Sequence, residues 1–145
     1  MAVTIKPITL WRSEIQDRPG ALAAVLGLLN ATRADLQVVM GYKVPGDRSR
    51  AVLELWPVSG RKREVVADKA GFSPSSTPTL LVTGDDRAGL GHALTTALAG
   101  AGINLSFMVA QVIGRKYSAV FGFESEADAK KGAGLIRKAA AAKRR

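Results

Sequence analysis

The sequence predicts an α+β protein made of two copies of one β-α-β-β-α unit, and three observations lead there. The chain has 145 residues, enough for one ordinary domain or two small ones. A segment repeats at an offset of 69: Gln16-Asp-Arg-Pro-Gly20 aligns without a gap on Asp85-Asp-Arg-Ala-Gly89, followed by Ala24 on Ala93, Leu29 on Leu98 and Leu36 on Leu105. Apolar periodicity then runs in the same order in both copies, strand, helix, hairpin, helix. With one further strand, each unit becomes a ferredoxin-like βαββαβ repeat, an antiparallel sheet with its helices on one face. A unit of about 70 residues is marginal alone, so shared burial is expected.

Each element follows from local chemistry. Residues 8–15 carry Thr9, Trp11 and Ile15, types that suit a pleated surface. The turn Gln16–Gly20 leads into Leu22, Val25, Leu26 and Leu29, whose spacing predicts an amphipathic helix over about 19–32. Pro19 fits its first turn, where a missing N–H is harmless. Leu36, Val38, Met40, Tyr42 and Val44 alternate with polar or small residues, Pro45-Gly-Asp-Arg48 turns the chain, and Arg50–Trp56 returns, a hairpin over 36–56. Ser59–Ala70 is a short charged helix. In the second unit Thr79–Gly84 is a strand, and Leu90, Leu94, Ala97 and Leu98 mark a helix stopped at Gly100 and Gly102. Ile103–Ala110 and Tyr117–Glu124 form the second hairpin, with Tyr117, Ala119, Phe121 and Phe123 on one face. Ser125-Glu-Ala-Asp128 is a capping box for the last helix, whose basic end suits its macrodipole.

The repeats are expected over 1–71 and 72–145. Each lacks its final strand, while spare residues stand ahead of each first strand, Val3-Thr-Ile-Lys6 and Phe72–Thr77. The expectation is that each opening strand is long and that its first half pairs with the other repeat, exchanging edge strands. On the hairpin, alternation puts Leu36, Val38 and Met40 with Ala51, Leu53 and Leu55 on the core face, and Trp56 with Val39 and Val52 opposite. Large apolar groups on a face without helices predict a homodimer or higher oligomer.

Composition narrows the function classes. At 47% hydrophobic and 23% charged the chain is a folded globular protein. No apolar run approaches the roughly 18 residues of a membrane span. The opening Met1–Pro7 has neither a charged n-region nor a long h-region, so a cytoplasmic location is expected. The absence of Cys excludes disulfides, thiol catalysis and thiolate metal sites. The one His, His92, has no carboxylate at i±4 and reads as a solvated helix residue. No nucleophile is matched with a base, and the adjacent carboxylates of Asp85 and Asp86 are a weak metal signal, so neither catalysis, metal nor cofactor is expected. Gly89-Leu-Gly91 lacks the third glycine of a dinucleotide loop, Leu94 standing in its place.

The net charge of +9 raises nucleic-acid binding as the alternative function. The surplus divides evenly, +4 over residues 1–72 and +5 over 73–145, with knots only at Arg61–Arg63 and Lys143–Arg145. Lys116–Phe123 is similar to an RNA-recognition strand, but its aromatics share a face expected to meet the helices, and aromatics total 6%. That alternative is therefore the weaker one.

Asp17-Arg-Pro-Gly-Ala-Leu22, an apolar helix, and then Ala34-Asp-Leu36 opening a strand together resemble an ACT domain. Asp86-Arg-Ala-Gly89 with Gly102-Ile-Asn-Leu105 resembles a second. The two cover about 7–70 and 77–142. The resemblance implies a stand-alone regulatory protein without a catalytic domain, whose paired repeats bind an amino acid or similar small molecule in the cleft between them. Its output would be a changed association with a protein partner. Carried onto this chain, the ligand-binding set is Asp17, Arg18, Gly20 and Asp35 in the first repeat and Asp86, Arg87, Gly89 and Asn104 in the second. The chain departs from the family pattern at Asp35, where Asn is usual, and at Ala88, where Pro is usual. Physical chemistry supports such a site. A helix N-terminus offers open N–H groups and partial positive charge to a carboxylate, and an ammonium seeks a carboxylate or amide oxygen. Glycine lets a ligand approach the backbone. The competing reading makes Asp17 and Asp86 turn formers or N-caps with no ligand.

Overall fold

A computed structural model of the chain describes residues 3–142. They form two compact units, one of residues 9–76 and one of residues 3–8 with 77–142. In chain order the elements are β1 (Val3–Ile8), β2 (Trp11–Gln16), α1 (Ala21–Asn30), β3 (Val38–Lys43), β4 (Arg50–Trp56), α2 (Arg61–Lys69), β5 (Ser73–Pro74), β6 (Thr79–Asp85), α3 (Leu90–Gly100), β7 (Leu105–Ile113), β8 (Lys116–Phe123) and α4 (Glu126–Ala141). The first unit's sheet runs β3-β4-β2-β5 and the second's β1-β6-β8-β7. All pairings are antiparallel. Both orders are those of a split βαββαβ unit, with the first and third strands central.

The missing fourth strand comes from the spare segments, as expected. β1 pairs with β6 from Val3↔Gly84 to Ile8↔Thr79, and β5 pairs with β2 at Trp11↔Pro74 and Arg12↔Ser73. The opening strands are not continuous, however. The chain leaves one ladder after Ile8 and re-enters another at Trp11, and does the same between Pro74 and Thr79. A strand that serves two sheets must quit one ladder before joining the next. Pro74 and Pro78, which have no N–H to give, enforce the second break.

Each unit buries its own core. In the first, Leu53 and Leu55 of β4 pack with Leu29, Val58, Ala67 and Phe72. In the second, Leu80, Val82, Ala119, Phe121 and Phe123 pack against Leu90, Leu94 and Leu98 of α3 and Ala129, Ile136 and Ala140 of α4. Each fully buried Leu, Ile or Phe contributes about 1.5–3 kcal/mol. The aromatic face of β8 meets the helices, which removes Tyr117, Phe121 and Phe123 from any base-stacking surface. α4 is capped as expected: the Asp128 N–H donates to Ser125 Oγ at 3.0 Å. At the other end of α1, Thr32 Oγ1 donates to the Leu29 carbonyl at 2.6 Å, and Arg63 Nη2 donates to the Arg33 carbonyl at 3.2 Å.

The register of β3 differs from the expectation. Val38 lies opposite Trp56, Val39 opposite Leu55 and Met40 opposite Glu54. Val38, Met40 and Tyr42 therefore share the face of Val52, Glu54 and Trp56, while Val39, Gly41 and Lys43 share the face of Leu53 and Leu55. Val38 and Val39 are both apolar, so alternation could be read in either phase, and a slip of one residue swaps the faces. The turned-out face contains a buried carboxylate: Tyr42 Oη donates to Glu54 Oε2 at 3.0 Å. Burial first, and then the Glu54 carboxylate, holds the Tyr42 hydroxyl above its ordinary pKa.

The small residues of α4 set its distance from the sheet. A Cβ on Gly132 would stand 2.7 Å from the ring of buried Phe123 and 3.3 Å from Leu98, whereas one on Gly134 would meet nothing within 4 Å. Gly132→Ala should therefore destabilise the protein by about 1–3 kcal/mol through overpacking. Gly134→Ala, in the same helix, should stabilise it by up to about 1 kcal/mol through helix propensity. Urea denaturation of the two variants checks the opposite signs.

Candidate functional site

The sequence places its candidate residues where the first strand of each repeat turns into the first helix. Gly20 and Gly89 are the N-cap residues of α1 and α3, with φ of 87° and 83°. A Cβ at either would meet nothing within 4 Å, so the left-handed backbone requires glycine here, not a close approach. Neither helix has a side-chain cap, which excludes the N-cap role for Asp17 and Asp86. The Gly20 and Gly89 carbonyls accept from the Ala24 and Ala93 amides, each at 2.9 Å. The amides of the first turn, Leu22 and Ala23 in α1 and Gly91 and His92 in α3, have no acceptor within the helix and carry its positive dipole end.

One backbone bond anchors each turn. The Asp17 amide donates to the Ser49 carbonyl at 3.0 Å and the Asp86 amide to the Arg115 carbonyl at 2.8 Å. Both acceptors lie in the hairpin connection that follows β3 or β7, so the helix start is pinned beside the beginning of β4 or β8. In the first repeat that connection is locked by Asp47. Its carboxylate accepts from the Ser49 amide at 2.9 Å, Ser49 Oγ at 2.6 Å and Arg50 Nε at 2.7 Å. These bonds, the Ser49 hydroxyl first, hold the Asp47 carboxyl well below the usual carboxylate range.

The candidate side chains do not all converge. Asp17 Oδ2 lies 3.3 Å from Lys43 Nζ, while Arg18 Nε donates to Gln16 Oε1 at 3.0 Å. In the second repeat Arg87 Nη2 donates to the Ala139 carbonyl in the last turn of α4 at 3.3 Å, a structural tie between the turn and that helix. Asp86 stands near Tyr117, whose hydroxyl is raised in pKa by burial and then by the Asp86 charge. Asp35 and Asn104 are exposed and precede β3 and β7. Because β2 and β3 both pair antiparallel with β4, they run parallel. Ile15, Ala51 and Lys43 are level at one end, and Trp11, Leu55 and Val39 at the other. Asp35 therefore lies a strand length, about 20 Å, from Asp17. The same ladder separates Asn104 from Asp86.

What sequence reasoning missed is a cavity of about 230 Å³ beneath the first turn of α1. Ile15, Ala21, Leu22, Gly41, Ala51 and Leu53 give it an apolar floor, and Asp17, Arg18 and Lys43 stand at its rim. It exists because Gly41 and Ala51 put almost no volume on the helix-facing side of β3 and β4. A visible signal was available in that pair of small residues, once the register of β3 is known. Among the described residues, no group of three or more His, Asp or Glu is placed to hold a metal ion. Asp85 instead makes an ion pair with Lys116, and His92 is exposed on α3. No helix of the described residues is long and apolar enough to cross a membrane.

With this geometry in hand, comparison with known proteins places the fold. The crystal structure of protein BT0572 from Bacteroides thetaiotaomicron superposes with a TM-score of 0.73 at 12% identity, over 92% of this chain and 89% of that one. The ligand-free regulatory subunit of aspartate kinase from Thermus thermophilus superposes at 0.66 and 14% identity, over 96% and 97%. The chain shares its fold with a regulatory subunit of aspartate kinase. Against the aspartate kinase of Clostridium acetobutylicum the TM-score is 0.55 at 14% identity, and the match spans 34% of that chain. No family model matches the sequence, and no curated protein matches it. Fold similarity at these identities is similarity of fold alone.

The turn geometry makes two measurable demands. Gly20→Ala forces a Cβ into a left-handed position and should destabilise the protein by about 1–2 kcal/mol, read by thermal or urea unfolding. The Asp47 carboxyl is depressed, so the stability its network contributes is present above the ordinary carboxylate pKa of about 3.9 and is lost as pH falls below it. A carbon-detected NMR titration should show Asp47 titrating below the ordinary aspartate range.

Proposed function

We propose that the protein is a non-catalytic regulatory protein that binds an amino acid at the α1 turn of the first repeat. The observation that carries this reading is the cavity under α1, with the opposite charges of Asp17 and Lys43 3.3 Å apart at its rim. An α-amino acid presents an ammonium and a carboxylate on one carbon. Asp17 suits the first; Lys43 and the open first-turn amides suit the second. The fold shared with a regulatory subunit of aspartate kinase supports the regulatory part of the reading. Of the candidate residues, Asp17 and Arg18 line this cavity and Gly20 caps the helix over it; Asp86, Arg87 and Gly89 hold the equivalent positions in the second repeat. Asp35 and Asn104 stand outside the cavity.

The same reading includes self-association. β7 is an edge strand of nine residues, and it exposes Val109, Val112 and Ile113, the last at 67%. A long apolar edge with an unpaired row of N–H and C=O groups is a template for a second copy of the chain. Occupancy of the cavity would then act through a change in association with that copy or with a regulated protein partner.

Calorimetry against the twenty amino acids should find one ligand at millimolar or lower Kd. Asp17→Asn and Lys43→Met should each weaken it about tenfold, the loss of one charge-assisted hydrogen bond. A panel that shows no heat at millimolar ligand would sink the reading. Light scattering should give a dimer or larger particle, and Ile113→Lys should reduce it to one chain. A monomeric mass for the unaltered protein removes the self-association part.

A further inference from the structure

The two repeats fill the space under the first helical turn in different ways. In the first repeat Ala51 of β4 is flanked by Ile15 of β2 and Lys43 of β3. In the second the corresponding residue is Tyr117 of β8, flanked by Gly84 of β6 and Val112 of β7. The correspondence is fixed by the ladder, since Ile15 and Gly84 are separated by the repeat offset of 69. The helix above changes in step, with Leu22 in α1 and Gly91 in α3. Tyr117 is 5% exposed, and its hydroxyl oxygen lies 3.6 Å from where a Cβ on Gly91 would stand. A phenol ring therefore rises between two glycine positions into the space that, in the first repeat, is the 230 Å³ cavity.

The hydroxyl of Tyr117 is the second observation. It is buried and has no hydrogen-bond partner among the described residues. Phenylalanine would fill the same volume without stranding a polar atom, so packing alone does not account for tyrosine. The oxygen lies against the opening turn of α3, where amides remain open, and near Asp86. A polar atom in that place is what a ligand seated in the first repeat would offer to α1.

We infer that the two repeats hold one site in two states, open in the first and filled in the second by its own Tyr117, and that the first repeat takes an amino acid with an aromatic side chain. The ligand class rests on the amino-acid-binding reading above; the filling of the second repeat by Tyr117 does not. The ring enters between Ile15, Ala21 and Leu53, the ammonium meets Asp17, and the carboxylate meets Lys43 and the first-turn amides. One ligand binds per chain, and the second repeat is a permanently occupied copy.

Calorimetry on the full chain with two probes tests this. Phenol reads the volume alone: one equivalent is expected for the unaltered protein, two for Tyr117→Ala and none for Ala51→Leu. Ala51→Tyr is the closer mimic of the second repeat, and Ala51→Leu supplies the milder block if the larger side chain prevents folding. L-phenylalanine, L-tyrosine and L-tryptophan are expected to bind at least tenfold more tightly than L-alanine, L-lysine or L-aspartate. Phenol stoichiometry unchanged by Tyr117→Ala overturns the filled-site claim. An aliphatic or charged amino acid that binds best, undisturbed by Ala51→Leu, overturns the aromatic ligand while leaving the proposed function standing. Silence across all twenty amino acids overturns the ligand class together with the proposed function, and the phenol counts still decide the filled site.

Discussion

The amide of the first residue after the opening strand of each repeat, Asp17 or Asp86, is bonded to a carbonyl in the hairpin connection, Ser49 or Arg115. The site geometry depends on that bond. It fixes where the helix begins relative to the third strand of the repeat, and glycine at φ near 85° then aims the helix across the sheet. Because the bond joins backbone to backbone, it survives complete divergence of the side chains around it. The second repeat retains the turn with Ala88 in place of Pro19 and with Arg115 in place of Ser49. Backbone is what the two repeats have in common; the volumes beneath the helix are where they part.

That division underlies the proposal of one working site in a fold with two turns. A βαββαβ unit repeated in tandem gives two helix N-termini, each with open amides and an acidic residue three positions earlier. In the first repeat small residues leave room beneath the turn and Lys43 stands at its rim. In the second, Val112 stands at the position of Lys43, which removes that lysine's charge, and the buried Tyr117 ring stands at the position of Ala51. Arg87 is likewise committed to the end of α4, where its guanidinium meets the negative end of a helix dipole.

Much of the fold was legible in the sequence because it rests on short-range chemistry. The repeat at Asp17-Arg-Pro-Gly20 and Asp86-Arg-Ala-Gly89, the capping box at Ser125 and the helix-facing aromatics of β8 each depend on residues close together in the chain. The spare segments at Val3–Lys6 and Phe72–Thr77 pointed to the exchange of edge strands, although not to the breaks at Thr9-Leu10 and around Pro78. The face of β3 was misread because Val38 and Val39 offer both phases, and only pairing with Leu55 and Trp56 decides between them. The separation of Asp35 from Asp17 follows from β2 and β3 being parallel, a property of the assembled sheet. The cavity was the least legible feature, since it is made by side chains that are missing at Gly41 and Ala51.

The central claim is that ligand recognition belongs to the first turn of α1 and not to its counterpart in α3. Amide chemical-shift changes on titration with an amino acid measure this directly. The account predicts that the Ala21, Leu22 and Ala23 amides move, together with that of Lys43, while those of Leu90, Gly91 and His92 stay in place. Shifts confined to the α3 turn, or centred on Asp35 and Asn104, would contradict it.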